Sequence, residues 1–341
     1  MKKLLLTLLV GIICNTSYTQ DVKSIYSEDI TQGKQLIEAY FTPMAESFGA
    51  GLNNGWYNTA KPHSLGGFDV TFTLNTVIIP NTAENFKIGD AFQNVFKSDK
   101  NEAATIFGSA NKTEMTYTNS DTDSSFSFTM PGGLKTPAMP LPMIQAGIGL
   151  IKKTAIDIRY MPMLNVGDNI NVNLFGVGLK HDLLQWIPAV GNTIPMSLSL
   201  QGGFTSLNTE LELVGQKVDL NTRATTINLV ASKKILMVTA YAGIGYNSSS
   251  TTFIANTKIE FKDKDQNPII KFDENIETVF DSNNNLRTNI GLRLNMAIVT
   301  FQADYTFSEY PTATLGLEVS LRKYVKEICN ITLLWISSSK Y

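Results

Sequence analysis

The chain has 341 residues, a formal net charge of −2, 17% charged residues, two histidines and two cysteines. Balanced charge without a basic block excludes a typical nucleic-acid-binding surface, and two cysteines exclude a disulfide framework. A His/Cys metal centre is not expected with so few ligands, and no cofactor is predicted.

The N-terminus has the features of a secretory signal peptide. A short cationic start precedes an apolar run from Leu4 to Ile13, and Ser17 and Thr19 supply the small residues of a cleavage site. We therefore predict a signal peptide over residues 1–19 and export of the mature chain. A lipoprotein anchored through Cys14 is the alternative, although the residue before that cysteine is not small.

Residues 20–65 are predicted to form a helix followed by a plug-like segment. Asp29 can cap a helix over residues 31–41, and Pro43 is expected to end it. The glycine-rich stretch from Phe48 to Tyr57 follows. Its small residues suit a plug folded into a barrel lumen, and a periplasmic helix that covers the barrel mouth is the equal alternative.

From residue 66 to residue 322, apolar and polar side chains alternate with a period of two. Such alternation predicts strands with one apolar and one polar face, as in a soluble sandwich or a membrane barrel. The runs are ~9–12 residues long, which matches a tilted bilayer crossing, and short turns alternate with long polar links. We predict an all-β fold, a transmembrane antiparallel β-barrel of 12 to 14 strands, with the sandwich as the alternative.

The segment from Met130 to Met143 is an unusually apolar link of this predicted barrel. Because it is rich in proline and glycine, we do not expect it to pair in a sheet, and its methionines suit adaptable apolar contacts. Either it packs over the barrel rim, or a hydrophobic ligand enters there. The candidate ligand contacts are Met130, Leu134, Met139, Leu141 and Met143.

Several charged residues fall on predicted lumen-facing positions: Asp157, Arg159, Arg223, Arg287, Arg293, Asp304 and Glu318. Ionic groups inside a barrel need water or partners, so a structural lattice across the lumen is the first expectation. The second is that Arg159, Arg223 and Arg293 hold the acidic head group of a ligand. These three arginines are therefore candidate binding residues.

The dipeptide His181-Asp182 raises the question of catalysis. Adjacent residues of a strand point to opposite faces, so the two cannot act together while extended, and the sequence has no Gly-x-Ser-x-Gly elbow. We expect Asp182 to cap a helical turn over residues 183–186 that Pro188 ends. No catalytic residue is predicted. No metal site is predicted either, because the acidic residues between 263 and 274 lack the spacing of a calcium loop.

Two blocks of sequence carry a resemblance to known proteins. The first runs from Gly55 to His63 and continues into Gly66-Gly67-Phe68-Asp69, and the second comprises Gly176 to Asp182 with Trp186-Ile187-Pro188. With these blocks the chain resembles an uncharacterised Gram-negative outer-membrane barrel family, a domain of unknown function. That family is in turn similar to the long-chain fatty-acid transporter superfamily. In those transporters an N-terminal hatch blocks the lumen, and hydrophobic ligands leave sideways into the membrane.

The pattern and the resemblance together predict a protein of the Gram-negative outer membrane that is not an enzyme. The resemblance implies binding or passive uptake of a hydrophobic, fatty-acid-like small molecule, in contact with outer-membrane lipid. A structural scaffold barrel without transport is one alternative, and a barrel lipid hydrolase is another. No particular protein partner is predicted. Residues 323–341 continue beyond the last predicted strand as an atypical C-terminal tail.

Overall fold

The computed structural model describes residues 30–89, 96–118, 125–165, 170–187, 195–213, 216–262, 268–282 and 286–320. Several predicted features lie outside these segments: the signal peptide 1–19, the helix cap Asp29, Pro188, the loop acids Asp263 and Asp265, and the tail 323–341.

The described residues contain one α-helix and sixteen β-strands. Helix α1 spans Ile30–Leu52, and two short 3-10 turns lie at Asn81–Ala83 and Leu184–Trp186. The strands are β1 Phe68–Ile78, β2 Asn85–Lys87, β3 Phe96–Lys97, β4 Glu102–Ala104, β5 Thr113–Thr118, β6 Ser125–Met130, β7 Ala138–Leu150, β8 Thr154–Asn165, β9 Ile170–Asp182, β10 Ser197–Leu213, β11 Gln216–Ile235, β12 Val238–Lys262, β13 Pro268–Asp281, β14 Leu286–Met296, β15 Val299–Phe307 and β16 Thr312–Ser320. Within this part of the chain, no helix is long and apolar enough to cross a membrane.

Ten of the strands form a closed antiparallel barrel. Around the wall the order is β1, β7, β8, β9, β10, β11, β12, β14, β15 and β16, and the pairing of β16 with β1 closes the ring. Closure with an even number of strands is typical of bacterial membrane barrels. The predicted fold class is confirmed, but the wall has ten strands instead of the expected twelve to fourteen.

The surplus of predicted strands has two causes. Strands β5 and β6 pair with each other, and β5 also pairs with β3, in a separate three-stranded sheet, so they contribute nothing to the wall. Strands β13 and β14 both pair with the long strand β12, one at each half of its length, and so occupy a single wall position in succession. Alternation identifies a strand but not its partner, which is why the sequence overstated the count.

The polarity of the wall is reversed relative to that of a soluble protein: its outer face is apolar and its inner face is polar. One outward-facing residue from each wall strand, at least 46% exposed, illustrates the apolar surface: Val70, Ile144, Ile158, Phe175, Leu200, Ile227, Ile244, Ile290, Phe301 and Leu315. The inward faces carry buried polar residues, such as Thr73, Gln145, Lys180, Gln201, Asn228, Asn289 and Gln302. A continuous apolar outer surface requires lipid around it, so the wall spans a membrane and the soluble sandwich is excluded.

Helix α1 continues past Pro43 to Leu52, so the prediction that this proline ends the helix is wrong. A proline inside a helix removes a backbone hydrogen bond and costs about 3 kcal/mol. Here the barrel encloses the helix and buries side chains such as Leu36 and Ile37. Each large apolar side chain buried in this way contributes about 1.5–3 kcal/mol, which outweighs the cost of one proline. The Ser47 hydroxyl also donates to the Pro43 carbonyl oxygen at 2.7 Å.

Residues 30–65, called the plug from here on, pass through the barrel lumen. Short turns join β7 to β8, β11 to β12 and β14 to β15 at one end of the barrel, the short-turn end. Helix α1 begins at the opposite end, the long-loop end, where it packs on β11, β12 and β13. The chain then descends to the short-turn end, where the Gly66 amide donates to Gly149 and β1 begins.

The apolar segment near Pro140 and Pro142 lies in strand β7 and pairs with β1, which contradicts the prediction that it stays unpaired. Pro140 lies opposite Thr76, and Pro142 lies opposite Leu74. On its other side β7 pairs with β8 only from Gln145 to Leu150. The prolines therefore occupy a stretch with one bare edge, where a missing backbone N–H is tolerated.

Candidate functional site

The indole ring of Trp56 anchors the plug against the wall. Trp56 is 1% exposed and lies against Gly178 of β9 and Gly203 of β10. A Cβ atom at these glycines would come within 2.7 Å and 2.5 Å of the ring, respectively, so no other residue fits there without displacement. The Arg159 guanidinium covers the ring, with its Cζ atom 3.6 Å from the centroid, a cation–π geometry.

Two buried arginines of the wall bind the C-terminal end of α1. The last carbonyl groups of a helix have no partner within the helix, and this end carries partial negative charge. Arg159 donates to the carbonyl oxygens of Leu52 and Asn54, both at 2.7 Å, and Arg287 donates to that of Asn53 at 2.7 Å. The guanidinium groups therefore complete the helix end and fix the plug to β8 and β14.

A third arginine, also on β14, ties the plug to one further wall strand, β16. Arg293 of β14 donates to Asn58 Oδ1 at 2.8 Å and to Glu318 Oε1 of β16 at 2.7 Å. The Asn58 amide in turn donates to Glu318 Oε2 at 2.6 Å. All three side chains are buried, so this triangle compensates its own charges within the lumen.

The part of the plug near the short-turn end is held by β10, β11 and β1. The Ala60 backbone N–H donates to Ser232 Oγ at 3.0 Å, and Ser199 Oγ donates to the Ala60 carbonyl oxygen. Next to the start of β1, His63 Nε2 pairs with the Asp69 carboxylate. The cavity that remains beside Trp56 has a volume of about 10 Å³, room for roughly one water molecule.

Towards the long-loop end, the lumen contains an apolar cluster that interrupts its polar lining. Its buried members are Leu52, Leu141, Met143, Val172, Leu174, Leu207 and Ala224, with Phe48, Met139 and Met161 partly buried beside them. The cluster joins α1 to strands β7, β8, β9, β10 and β11. Its three methionines are unbranched and flexible, so it can change shape at low cost.

The wall has an unpaired seam next to this cluster. Towards the long-loop end, the last paired residues of β7 and β8 are Gln145 and Arg159. Beyond this pair, residues 138–144 of β7 and residues 160–165 of β8 do not pair with each other. Beyond the seam, β7 still pairs with β1, and β8 still pairs with β9 through an irregularity between Met161 and Leu164. The barrel is therefore closed at the short-turn end and unzipped between these two strands towards the long-loop end.

The structure divides the predicted apolar contacts into two groups. Met139, Leu141 and Met143 meet in the apolar cluster at the seam. Met130 is buried in a different cluster under α1, and Leu134 is half-buried, with its amide donating to the Ile106 carbonyl oxygen. The segment is therefore not a single contact surface.

The three predicted arginines also separate. Arg159 and Arg293 donate hydrogen bonds to the plug and to neighbouring side chains, as the lattice expectation describes. Arg223 is exposed on the outer face of β11, with its neighbours Thr222 and Ala224 buried, so its assignment to the lumen is wrong. A shift of one residue in register exchanges the two faces of a strand. The residues around Arg223 are mostly polar, so the sequence does not show which face points into the lumen.

His181 and Asp182 form the boundary between β9 and the turn that follows. Trp186 Nε1 donates to His181 Nε2 at 2.9 Å, and the Thr154 hydroxyl lies 2.8 Å from His181 Nδ1. An Asp182 carboxylate oxygen accepts from the Gln185 backbone N–H at 3.1 Å. Both side chains thus hold a 3-10 turn in place.

Sequence reasoning missed the residues that seat the plug, above all Trp56 and its glycine partners. A signal was present, because Gly178 and Gly203 are lumen-facing positions where neighbouring strands carry polar side chains. Absent side chains at such positions indicate that another part of the chain approaches closely.

The chain is similar in structure to Ail, the attachment invasion locus protein of Yersinia pestis (10% identity, 75% of this chain and 97% of that chain, TM-score 0.26), and to the outer membrane protease OmpT of Escherichia coli (9%, 75% and 97%, 0.27). A third is the translocator domain of the autotransporter NalP of Neisseria meningitidis (8%, 87% and 98%, 0.25). At these identities and TM-scores, no residue, activity or ligand of these proteins is carried over.

The search of curated proteins found no significant match. The sequence profile of one family, described as "Family of unknown function (DUF6588)", matches residues 1–321. The chain belongs to this family, DUF6588.

Proposed function

We propose that this protein is a Gram-negative outer-membrane barrel that binds a hydrophobic, fatty-acid-like molecule and exchanges it with the bilayer through the β7–β8 seam. The observation that carries the proposal is the position of the apolar cluster directly behind that seam. The process consists of binding and passive movement, without a covalent step.

The chemistry of the cluster favours an apolar ligand. Its side chains offer no hydrogen-bonding groups apart from weak thioether acceptors, so a polar solute would lose its hydration there with little compensation. A hydrocarbon chain instead gains about 0.8 kcal/mol for each methylene group that leaves water. Met139, Met143 and Met161 can reorient to admit such a chain, since thioether side chains adapt to irregular shapes.

The plug favours a lateral path over an axial one. Arg159, Arg287 and Arg293 bind the plug through charge-assisted hydrogen bonds, each of which contributes about 1.5–3 kcal/mol. An axial channel requires all of them to break together. At the seam no ladder hydrogen bond has to break, because β7 and β8 are already separate there.

Binding of oleate to the detergent-solubilised full chain tests the proposal. Met143→Trp fills the cluster with a larger side chain and is expected to weaken oleate binding at least tenfold, a loss of about 1.4 kcal/mol. Met296→Trp, at an exposed position near the short-turn end, is the matched control and should bind like the parent. Absence of saturable oleate binding, or equal weakening by both substitutions, contradicts the proposal.

A further inference from the structure

A second pocket lies at the short-turn end, away from the seam. It has a volume of about 670 Å³, the size of a small-molecule site. It lies between the end of the plug, the β7–β8 turn and the β9–β10 connection. The residues that line it are Lys61, Pro62, His63, Ser64, Leu65, Leu150, Ile151, Lys152, Lys153, Asp182, Leu184, Met196 and Ser197.

The pocket has a surplus of positive charge. Its described lining residues include three lysines and one carboxylate: Lys61, Lys152, Lys153 and Asp182. That carboxylate lies 3.8 Å from Lys153 Nζ and also accepts the backbone hydrogen bond of the turn described above. His63, another lining residue, is paired with the buried Asp69 carboxylate. Lys61 and Lys152 are exposed and form no ion pair with any residue that the structure describes.

The β7–β8 turn, residues 151–153, carries two adjacent lysines. Lys152 and Lys153 both have positive φ, 52° and 45°. Leu236 and Ala297 of the other two short turns share this left-handed backbone, so the backbone itself does not select for charge. The distinctive feature of the β7–β8 turn is that two positive charges lie side by side at the edge of the pocket.

Part of the remaining lining is apolar and lies next to the outward-facing apolar surface of the wall. Leu65 and Ile151 are 67% and 68% exposed, and Met196 is also exposed. Ile148, three residues before Ile151, belongs to the outward-facing apolar surface of β7. Trp186, exposed on the β9–β10 connection, is the residue type typical of a membrane–water interface.

We propose that this pocket binds the phosphate head group of an anionic phospholipid from the adjoining leaflet. The three lysines face the phosphate, and Leu65, Ile151 and Met196 contact the glycerol and the first part of the acyl chains. A soluble anion would use the lysines but leave the apolar half of the pocket in water. Because Lys61 belongs to the plug and Lys152 to the wall, the bound lipid bridges the two. This site does not depend on passage of a ligand through the seam.

Native mass spectrometry of the full chain in neutral detergent tests this proposal. The probes are phosphatidylglycerol, phosphatidylcholine and inorganic phosphate, added separately and in competition. The triple variant Lys61→Gln/Lys152→Gln/Lys153→Gln is compared with Lys233→Gln/Lys234→Gln, which removes exposed lysines at the same barrel end but outside the pocket. Heat-dependent gel mobility verifies that each variant is folded, and the single variant Lys61→Gln is used if the triple variant is not.

Phosphatidylglycerol is expected to bind at least about tenfold more tightly than phosphatidylcholine, and the triple variant should lose that preference while the control keeps it. The single variant should lose part of it. Equal binding of the two lipids, or equal loss in the pocket and control variants, overturns the proposal. Displacement of phosphatidylglycerol by millimolar inorganic phosphate overturns the assignment to a lipid, because it identifies a site for a free anion.

Discussion

The ring of Trp56 lies so close to Gly178 that a Cβ atom at position 178 would be 2.7 Å from it. This relationship joins the two blocks of sequence that carry the family resemblance, because Trp56 belongs to the first and Gly178 to the second. The glycine is a seat for the plug, and the histidine and aspartate that follow it hold a turn. Three residues of the block GVGLKHD, namely Gly178, His181 and Asp182, thus have a structural explanation.

Alanine at the glycine seat is expected to loosen the plug. In Gly178→Ala or Gly203→Ala the new methyl group collides with Trp56, and overpacking of this kind costs about 1–3 kcal/mol. Single-channel recording in planar bilayers should then show larger or more frequent openings than in the parent protein. Gly202→Ala is the control, because the nearest atom to its Cβ is 3.9 Å away. A parent-like conductance in both seat variants would show that Trp56 does not restrain the plug.

Removal of Arg159 is expected to free the end of α1. Arg159→Ala leaves the carbonyl groups of Leu52 and Asn54 buried without these donors, a loss of about 3 kcal/mol or more. Hydrogen–deuterium exchange should become faster for the amides of residues 50–60. Arg159→Lys, which keeps the charge but not the fork of donors, should fall between the two. Arg223→Ala removes an arginine from the outer face and should leave exchange in the plug unchanged.

The open seam can be tested with cysteine pairs. Continuing the β7–β8 register beyond Gln145 and Arg159 would bring Met143 opposite Met161, at a distance suited to a disulfide. Since the strands do not pair there, we expect Met143→Cys/Met161→Cys to cross-link poorly under mild oxidation, in a background with Cys14 and Cys329 replaced by serine. Ile148→Cys/Ile156→Cys, at paired positions, should cross-link readily. Equally fast cross-linking of the two pairs would mean that the seam is zipped.

The seating of α1 should depend on pH through Glu46, which lies on the plug and not on a membrane-spanning strand. Burial raises the pKa of Glu46 above its ordinary value of 4.5, and Glu309 raises it further, although a hydrogen bond with Tyr310 acts in the opposite direction. The folded protein therefore binds this proton more tightly than the unfolded chain does. Its stability should fall as the pH rises from about 4.5 through the raised pKa.

Glu46→Gln removes this ionisation and should raise the guanidinium midpoint of unfolding in detergent at pH 8. The gain should shrink towards pH 4, where Glu46 is protonated in both states. Glu38→Gln, at an exposed position of the same helix, is the matched control and should show no such pH-dependent gain. A gain for Glu46→Gln that is independent of pH would contradict the ionisation argument.

The wall could be predicted from the sequence because its physics is local. A side chain on a strand faces either lipid or lumen, and the alternation from Phe68 onward records that choice residue by residue. Which strands pair depends on residues far apart in the sequence. Strand β12 is long enough to pair with β13 along one half and with β14 along the other, and the alternation does not show this. The same holds for Pro43, which ends a helix in water but not one that the lumen encloses.

The plug contacts were beyond prediction for a related reason. Arg287 and Asn53 are separated by 234 residues, and Arg159 and Leu52 by 107. The sequence shows that an arginine in a lumen needs a partner, but a free ligand and a backbone carbonyl satisfy it equally well. In the structure, Arg159 and Arg293 bind the plug. The apolar cluster is therefore the remaining candidate ligand site.

The measurement that tests the central claim most directly is photoaffinity mapping with a palmitate analogue that carries a diazirine at the end of its chain. The full chain, reconstituted in lipid bilayers, is irradiated with the probe, and the modified peptides are identified by mass spectrometry. The seam account predicts modification concentrated at residues 138–143 of β7 and 160–163 of β8, competed by oleate and reduced by Met143→Trp. Modification spread evenly over the outward-facing residues of the wall, and insensitive to oleate, would contradict it.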